Sequence, residues 1–376
     1  MISRAAIALV CLLAAHAVQA FAQDTAARAK DAYTRAVELE STGNNAAALA
    51  LLWEAASLAP RDADIQNRLG EALDRIGALD AAIDAYRRAV AERPSFKKAI
   101  NNLILGLVKT GRGEQAVEQA RAIVAAAPSD PDSYFTLGLA QSEQDVAASL
   151  ASFRRAIELA PRHTLARYNL ALVLKRTDRL TEAAEELTRA IAIEPRPEAQ
   201  YTLAVISWYQ GDLDRAASLL REAVANQPGY ADAYATLGAV LKAKRAWTEA
   251  ADALRKAVAL RPDLAAARYT LAQVLELSGN EAAARAERAE AERVRRQAEL
   301  AQEAGVWTAV GIQKLEARDL LGALDCLRRA TTVFDAYAPA HYQMGLVLEQ
   351  LGERDAARSA FARAQQLNPS LIPPKR

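Results

Sequence analysis

The chain has few of the residues on which most site chemistry depends. Its 376 residues include two cysteines, three histidines and two methionines, and only 6% are aromatic. The cysteines, Cys11 and Cys326, allow at most one disulfide. If the opening segment is removed Cys326 stands alone, so the fold rests on packing. Two histidines, His163 and His341, lie beyond that segment and far apart in sequence, which excludes a histidine metal site or a Ser-His-Asp relay built on near neighbours. An excess of one charge is also missing, with 47 Lys and Arg against 46 Asp and Glu and no basic block. Phosphate backbones and anionic lipid surfaces need concentrated positive charge, so neither nucleic acid nor such a membrane surface is an expected partner. No phosphate loop is present, and Gly111-Arg112-Gly113 falls where a turn between helices is expected. Carboxylate pairs such as Glu185-Glu186 sit on expected helix faces and are solvated there. No catalytic residue, cofactor or metal is expected, and the chain reads as a non-enzyme.

A long apolar run is absent as well. The most apolar stretch, Ala5 to Ala15, is cut by His16 and Gln19 and is short for the ~20 residues of a membrane span. It follows Arg4 and leads to Ala20-Phe21-Ala22, the order of a secretory signal peptide. Residues 1–22 are therefore expected to be a cleaved leader, with the cut after Ala22 or Ala20. The mature chain would be periplasmic or secreted, with no membrane insertion. Val10 precedes Cys11 where a lipidation site needs a small residue, which excludes a lipoprotein.

What the sequence has in quantity is one unit, repeated. Pro60, Pro94, Pro128, Pro161, Pro195, Pro228 and Pro262 are 33 or 34 residues apart, and Pro369 closes the series. Between them runs a column of alanines (Ala48, Ala82, Ala116, Ala183, Ala216, Ala250), with Ser149 as the one substitute. Apolar residues at helical spacing, such as Leu69, Leu73 and Ile76, make each half-unit an amphipathic helix. Gly43, Gly77 and Gly111 stand where a left-handed C-cap is expected. A small column (Ala36, Gly70, Gly138, Ala171, Gly238) is expected to let helix backbones approach. Large residues such as Leu52, Tyr86, Phe153 and Leu187 fill the space beside it. In the third unit Ala120 replaces the large residue, and Ile123 is expected to restore the volume.

These columns, with Leu69-Gly70, Leu137-Gly138 and Leu237-Gly238, resemble the tetratricopeptide repeat, whose period is about 34 residues. The resemblance covers residues 29 to 371. It implies an all-α fold, a right-handed α-solenoid of about ten helix-turn-helix repeats. Repeats one to eight are expected to begin within residues 29–279, followed by a charged helical spacer at 280–303, repeats nine and ten at 304–371, and a tail at 372–376. The spacer lacks Gly and Pro, places Arg288 in the large column, and lacks the sustained apolar seam of a coiled coil.

The same resemblance implies a concave groove lined by the first helix of each unit, where a protein or peptide partner would bind. The family's groove positions fall here on an aromatic row with Phe135, Tyr168 and Tyr201. Beside it runs a polar row with Asn102, Thr136, Asn169 and Thr202, and then an apolar row with Leu105, Leu139, Leu172 and Val205. An extended partner segment is expected there, bonding its backbone to the amides and hydroxyls while it buries side chains. The expected role is a non-catalytic scaffold or adaptor of the cell envelope. A substrate-recruiting, non-catalytic subunit of a separate envelope enzyme is the alternative.

Overall fold

The computed structural model describes residues 4–371 and Pro373, with side chains from Gln23 onward. Every regular element among the described residues is an α-helix. The chain divides into two compact units at Pro195 and Arg196. The first holds five hairpins: α1 (Arg4–Ser41) with α2 (Asn45–Leu58), α3 (Ala63–Arg75) with α4 (Leu79–Glu92), α5 (Lys97–Lys109) with α6 (Gly113–Ala126), α7 (Pro131–Gln141) with α8 (Val146–Leu159), and α9 (Thr164–Arg176) with α10 (Leu180–Ile193). The second unit begins with α11 (Pro197–Tyr209) and α12 (Leu213–Asn226), then α13 (Ala231–Ala243) and α14 (Trp247–Leu260). It continues through α15 (Ala265–Leu277), α16 (Glu281–Glu316) and α17 (Leu320–Val333), and ends with α18 (Ala338–Gln350) and α19 (Arg354–Leu367). The leader expected at 1–22 lies largely outside this description: Met1 to Ser3 are not described, and of Arg4 to Ala22 only the helical backbone is. Among the described residues no helix is long and apolar enough to cross a membrane.

Each hairpin is made by local signals. Asp62 accepts the Asp64 and Ile65 amides at the start of α3, and Asp145 accepts the Ala148 amide at the start of α8, satisfying donors that helix geometry leaves open. In nine of the ten hairpins the first helix is followed by a left-handed residue, as at Gly77 with φ +78°. Four hairpins lack that glycine; in three of them Asp178, Arg245 and Arg318 take the same conformation at φ 59–61°, and the turn between α7 and α8 passes from Ser142 in the right-handed region without one. The demand for a left-handed residue thus comes from the turn itself.

Within a hairpin, packing depends on one contact between a small residue on the first helix and a large one on the second. A Cβ added at Gly138 would lie 2.6 Å from Phe153, and one at Gly70 would lie 2.4 Å from Tyr86. Leu254, Leu327 and Phe361 crowd Gly238, Gly311 and Gly345 in the same way. The small column therefore seats a side chain, where close backbone approach was expected. The pairing is graded by size: alanine at Ala36, Ala171 and Ala204 stands at the register of leucine at Leu52, Leu187 and Leu220, all of them fully buried. In the third hairpin the restored volume comes from Ile104 on α5, not Ile123. Ile104 stands in the small column and is fully buried with Ala120 in one core cluster, whereas Ile123 is only half-buried. Ser149, the polar substitute in the alanine column, donates its hydroxyl to the Gly138 carbonyl at 2.8 Å.

The helix α16 serves two hairpins, packing on α15 with its first half and on α17 and α18 with its second. Residues 295–299 within it are exposed on every side. Arg288 points outward and bonds Glu276 at 2.7 Å.

The size pairing has a direct test by urea unfolding. Gly138→Ala should cost about 1–3 kcal/mol by overpacking against Phe153. Adding Phe153→Leu should recover most of that loss, because alanine with leucine is the pair used in three other hairpins.

Candidate functional site

In the first unit the first helices of successive hairpins touch one another, α3 to α5, α5 to α7 and α7 to α9. They form a continuous face that carries the expected partner residues from Asn102 to Leu172. Leu139 of α7 and Leu172 of α9 come together with Asn169 around a cleft of about 300 Å³. Phe153 and Val173 complete its apolar lining, and Ser142, Glu143 and Arg176 form its rim. Arg176 bridges that rim, pairing with the Glu143 carboxylate and donating to the Ser142 carbonyl. Leu105 stands on α5 with 39% of its surface exposed.

The other expected residues are engaged differently. The Phe135 ring lies 6.0 Å from Phe153 and 5.1 Å from His163, so it is part of hairpin packing. His163 in turn caps α9 by accepting the Ala166 amide through Nδ1. Tyr168 is half-buried on α9. Tyr201 and Val205 lie on α11 in the second unit, where the Tyr201 ring packs 5.2 Å from Tyr230. His341 is buried and donates to the Asp335 carbonyl at 2.8 Å.

The polar row is largely committed within the chain. Thr136 is buried and bonds Asn101 at 2.8 Å, and Thr202 is buried and bonds the Glu198 carbonyl at 2.8 Å. Asn169 donates to the Leu165 carbonyl at 2.9 Å. Asn102 donates to Asn67 at 3.0 Å and to Glu71 at 3.2 Å, which uses both hydrogens of its amide.

Those bonds belong to a network that sequence reading missed. Glu71 on α3 receives Asn67 at 2.9 Å and Lys98 of α5 at 2.7 Å. Arg68 links it to Glu40 of α1, which also takes Arg75. Charged groups from three hairpins thus tie this face of first helices (the A-helix face) together at one end, while the apolar cleft occupies the other. Burial opposes ionisation of Glu71, but Lys98 and Asn67, with Arg68 nearby, hold its carboxyl below the usual glutamate value. A search of repeat columns for apolar residues passes over such a network, since its members occupy different columns in different hairpins. Among the described residues no cluster of three His, Cys, Asp or Glu could hold a metal ion.

The architecture and this face define a helical-repeat protein. Family models described as tetratricopeptide repeat match residues 33–95, 139–199, 201–265 and 338–371, which is more than half of the chain. The chain belongs to the tetratricopeptide repeat family. Among solved structures it is similar to a repeat protein of Parabacteroides merdae, at 17% identity and a TM-score of 0.49 over 66% of this chain and 99% of that one. It is also similar to a thermophilic repeat protein of Thermus thermophilus, at 25% identity and a TM-score of 0.42 over 48% of this chain and 98% of that one. A third, MamA of Desulfovibrio magneticus, is 25% identical with a TM-score of 0.38 over 45% of this chain and 96% of that one. No curated protein matches the chain.

Because the Glu71 carboxyl is held below its ordinary value, its stabilising contribution is full above that value and fades as pH falls through the lowered one. Glu71→Gln should therefore destabilise the protein at pH 7 by about 1–2 kcal/mol. The difference from wild type should shrink as unfolding is measured toward pH 3.

Proposed function

We propose that this chain is a non-catalytic interaction scaffold of the cell envelope that takes up a segment of a partner protein on its A-helix face. The observation that carries this reading is the cleft between α7 and α9, where Leu139 and Leu172 are half-buried side by side around about 300 Å³. Leu105 extends the same apolar row onto α5. Each leucine-sized side chain buried there contributes roughly 1.5–3 kcal/mol before ordering costs, so a few such contacts support binding near the micromolar range.

The segment lies along the row in extended form. Its affinity rests mainly on apolar contact, because the hydroxyls of Thr136 and Thr202 and the amide hydrogens of Asn102 already bond within the chain. The Asn102 and Asn169 side-chain oxygens remain suited to accept from the segment's backbone amides. The envelope location rests on the order of Arg4, the apolar stretch and Ala20-Phe21-Ala22. The buried, single Cys326 of the mature chain is compatible with an oxidising compartment.

A pull-down from periplasmic extract tests the groove, with wild type beside the Leu139→Glu, Leu172→Glu double variant and circular dichroism to confirm equal helicity. The expected result is a partner retained by wild type and lost by the variant. Equal retention by both would sink the groove assignment. N-terminal sequencing of the protein recovered from periplasm should begin at Phe21 or Gln23. A chain confined to the cytoplasm and starting at Met1 would overturn the envelope reading.

A further inference from the structure

In the hairpin stack a second helix packs antiparallel on the first helix of the next hairpin. Ile83 of α4 faces Gly106 of α5, where an added Cβ would lie 3.0 Å away, and Val90 of α4 packs in one cluster with Ala99 of α5. These two contacts share one register, since moving from Ile83 on to Val90 answers moving from Gly106 back to Ala99. The position of Ala99 is closed elsewhere in the same way: Ala267 and Ala340 are 4% and 0% exposed.

The helix α16 breaks this rule because it is the second helix of one hairpin and the first helix of the next. It does not turn back, so both faces that would meet stay bare. Val306, at the register of Ala99, is 59% exposed, and Gln313, at the register of Gly106, is exposed too. Arg285 and Glu292, at the registers of Ile83 and Val90, are likewise exposed.

Charge is segregated along this bare stripe. Its N-terminal half carries Arg285, Arg288, Arg295 and Arg296 against Glu281 and Glu292, and its C-terminal half carries Glu299 and Glu303 and then Val306 and Val310. We infer that α16 is a two-fold contact between two copies of this chain, lying antiparallel so that each basic half covers the other copy's acidic and valine-bearing half. The register of the hairpin stack then sets Arg285 opposite Gln313 of the second copy and Glu292 opposite its Val306. Both pairs are centred on Glu299, as a closed two-fold contact requires, since residue i must meet j while j meets i. The same centre sets Arg295 opposite Glu303 of the second copy. That centre also sets Arg288, already bonded to Glu276, opposite Val310, and the unfavourable charge contact is Glu299 facing its own counterpart. Arg295 answers it from within each helix at 3.6 Å, in an exposed pair weak enough to be shared across the seam. The seam is polar, so the dimer is concentration-dependent and salt-sensitive.

Sedimentation velocity on the full chain tests this. Wild type should double its mass with concentration. Glu303→Arg and Arg295→Glu should each raise the dissociation constant about tenfold or more, by placing like charges in contact. The Arg295→Glu, Glu303→Arg double swap should return it close to wild type. Both side chains are exposed, so circular dichroism should show unchanged helicity in all four proteins. A wild type that stays monomeric, or a dimer indifferent to both single variants, would overturn the inference. In a Cys11→Ser chain, Glu299→Cys should form a disulfide-linked dimer under mild oxidation while Gln297→Cys, on the opposite side of the helix, does not. The reverse result would place the contact on the other face.

Discussion

The fold depends on the seating of one large side chain of each second helix against one small residue of the first. Phe153 over Gly138 and Tyr86 over Gly70 leave no room for a Cβ, so the helices stand at the separation these pairs dictate. Where the first helix offers alanine, the second offers leucine, and the hairpin geometry is kept. The third hairpin exchanges the sizes between helices, with Ile104 on the first and Ala120 on the second. Most hairpins therefore keep a similar volume for the pair rather than either member of it, with Gly238 and Leu254, and Gly311 and Leu327, as the smaller pairs. A repeat protein has no central core, so stability must be built hairpin by hairpin from contacts of this kind.

The consequence for function is that the first helices hold their outward face free of this work. The alanine column and the leucine beside each glycine point inward, which leaves Leu105, Leu139 and Leu172 to line the other side, with Phe153 reaching the cleft between the last two. That face is not uniform. Toward α1 it is held by Glu40, Arg68, Glu71, Lys98 and the asparagines, a lattice in which each charge has a partner. Toward α9 it opens into the apolar cleft. A partner segment would meet a rigid polar end and an apolar end, and the donors of the polar row are already committed to holding the hairpins together.

At α16 the same rules fail together. The proline that follows most other second helices is absent, Arg288 replaces the large seated residue, and the helix continues into the next hairpin. An arginine cannot be buried unpaired against Ala272, so it turns outward to Glu276. Losing the turn exposes both faces that hairpin stacking normally closes, which gives this helix a surface the other hairpins lack.

The repeat itself was legible in the sequence because its signals are local: proline spacing, capping residues, and apolar positions at helical period. The size pairing was half legible. The columns identified Gly138 and Phe153 as small and large, but that the ring sits on the glycine, and that Ile104 rather than Ile123 answers Ala120, are facts of packing between helices. The left-handed turns at Asp178, Arg245 and Arg318 were hidden because the turn geometry outranks residue preference there. Of the face, the residues could be named from the register, yet not their commitments. Asn102 and Thr136 look alike in sequence whether they face a partner or a neighbouring helix. Only tertiary structure decided that both bond within the chain and that Leu139 and Leu172 meet around one cleft. Hydrogen bonds and clefts depend on distances between helices that lie about thirty-four residues apart in the chain, and a periodic sequence states the period without stating those distances.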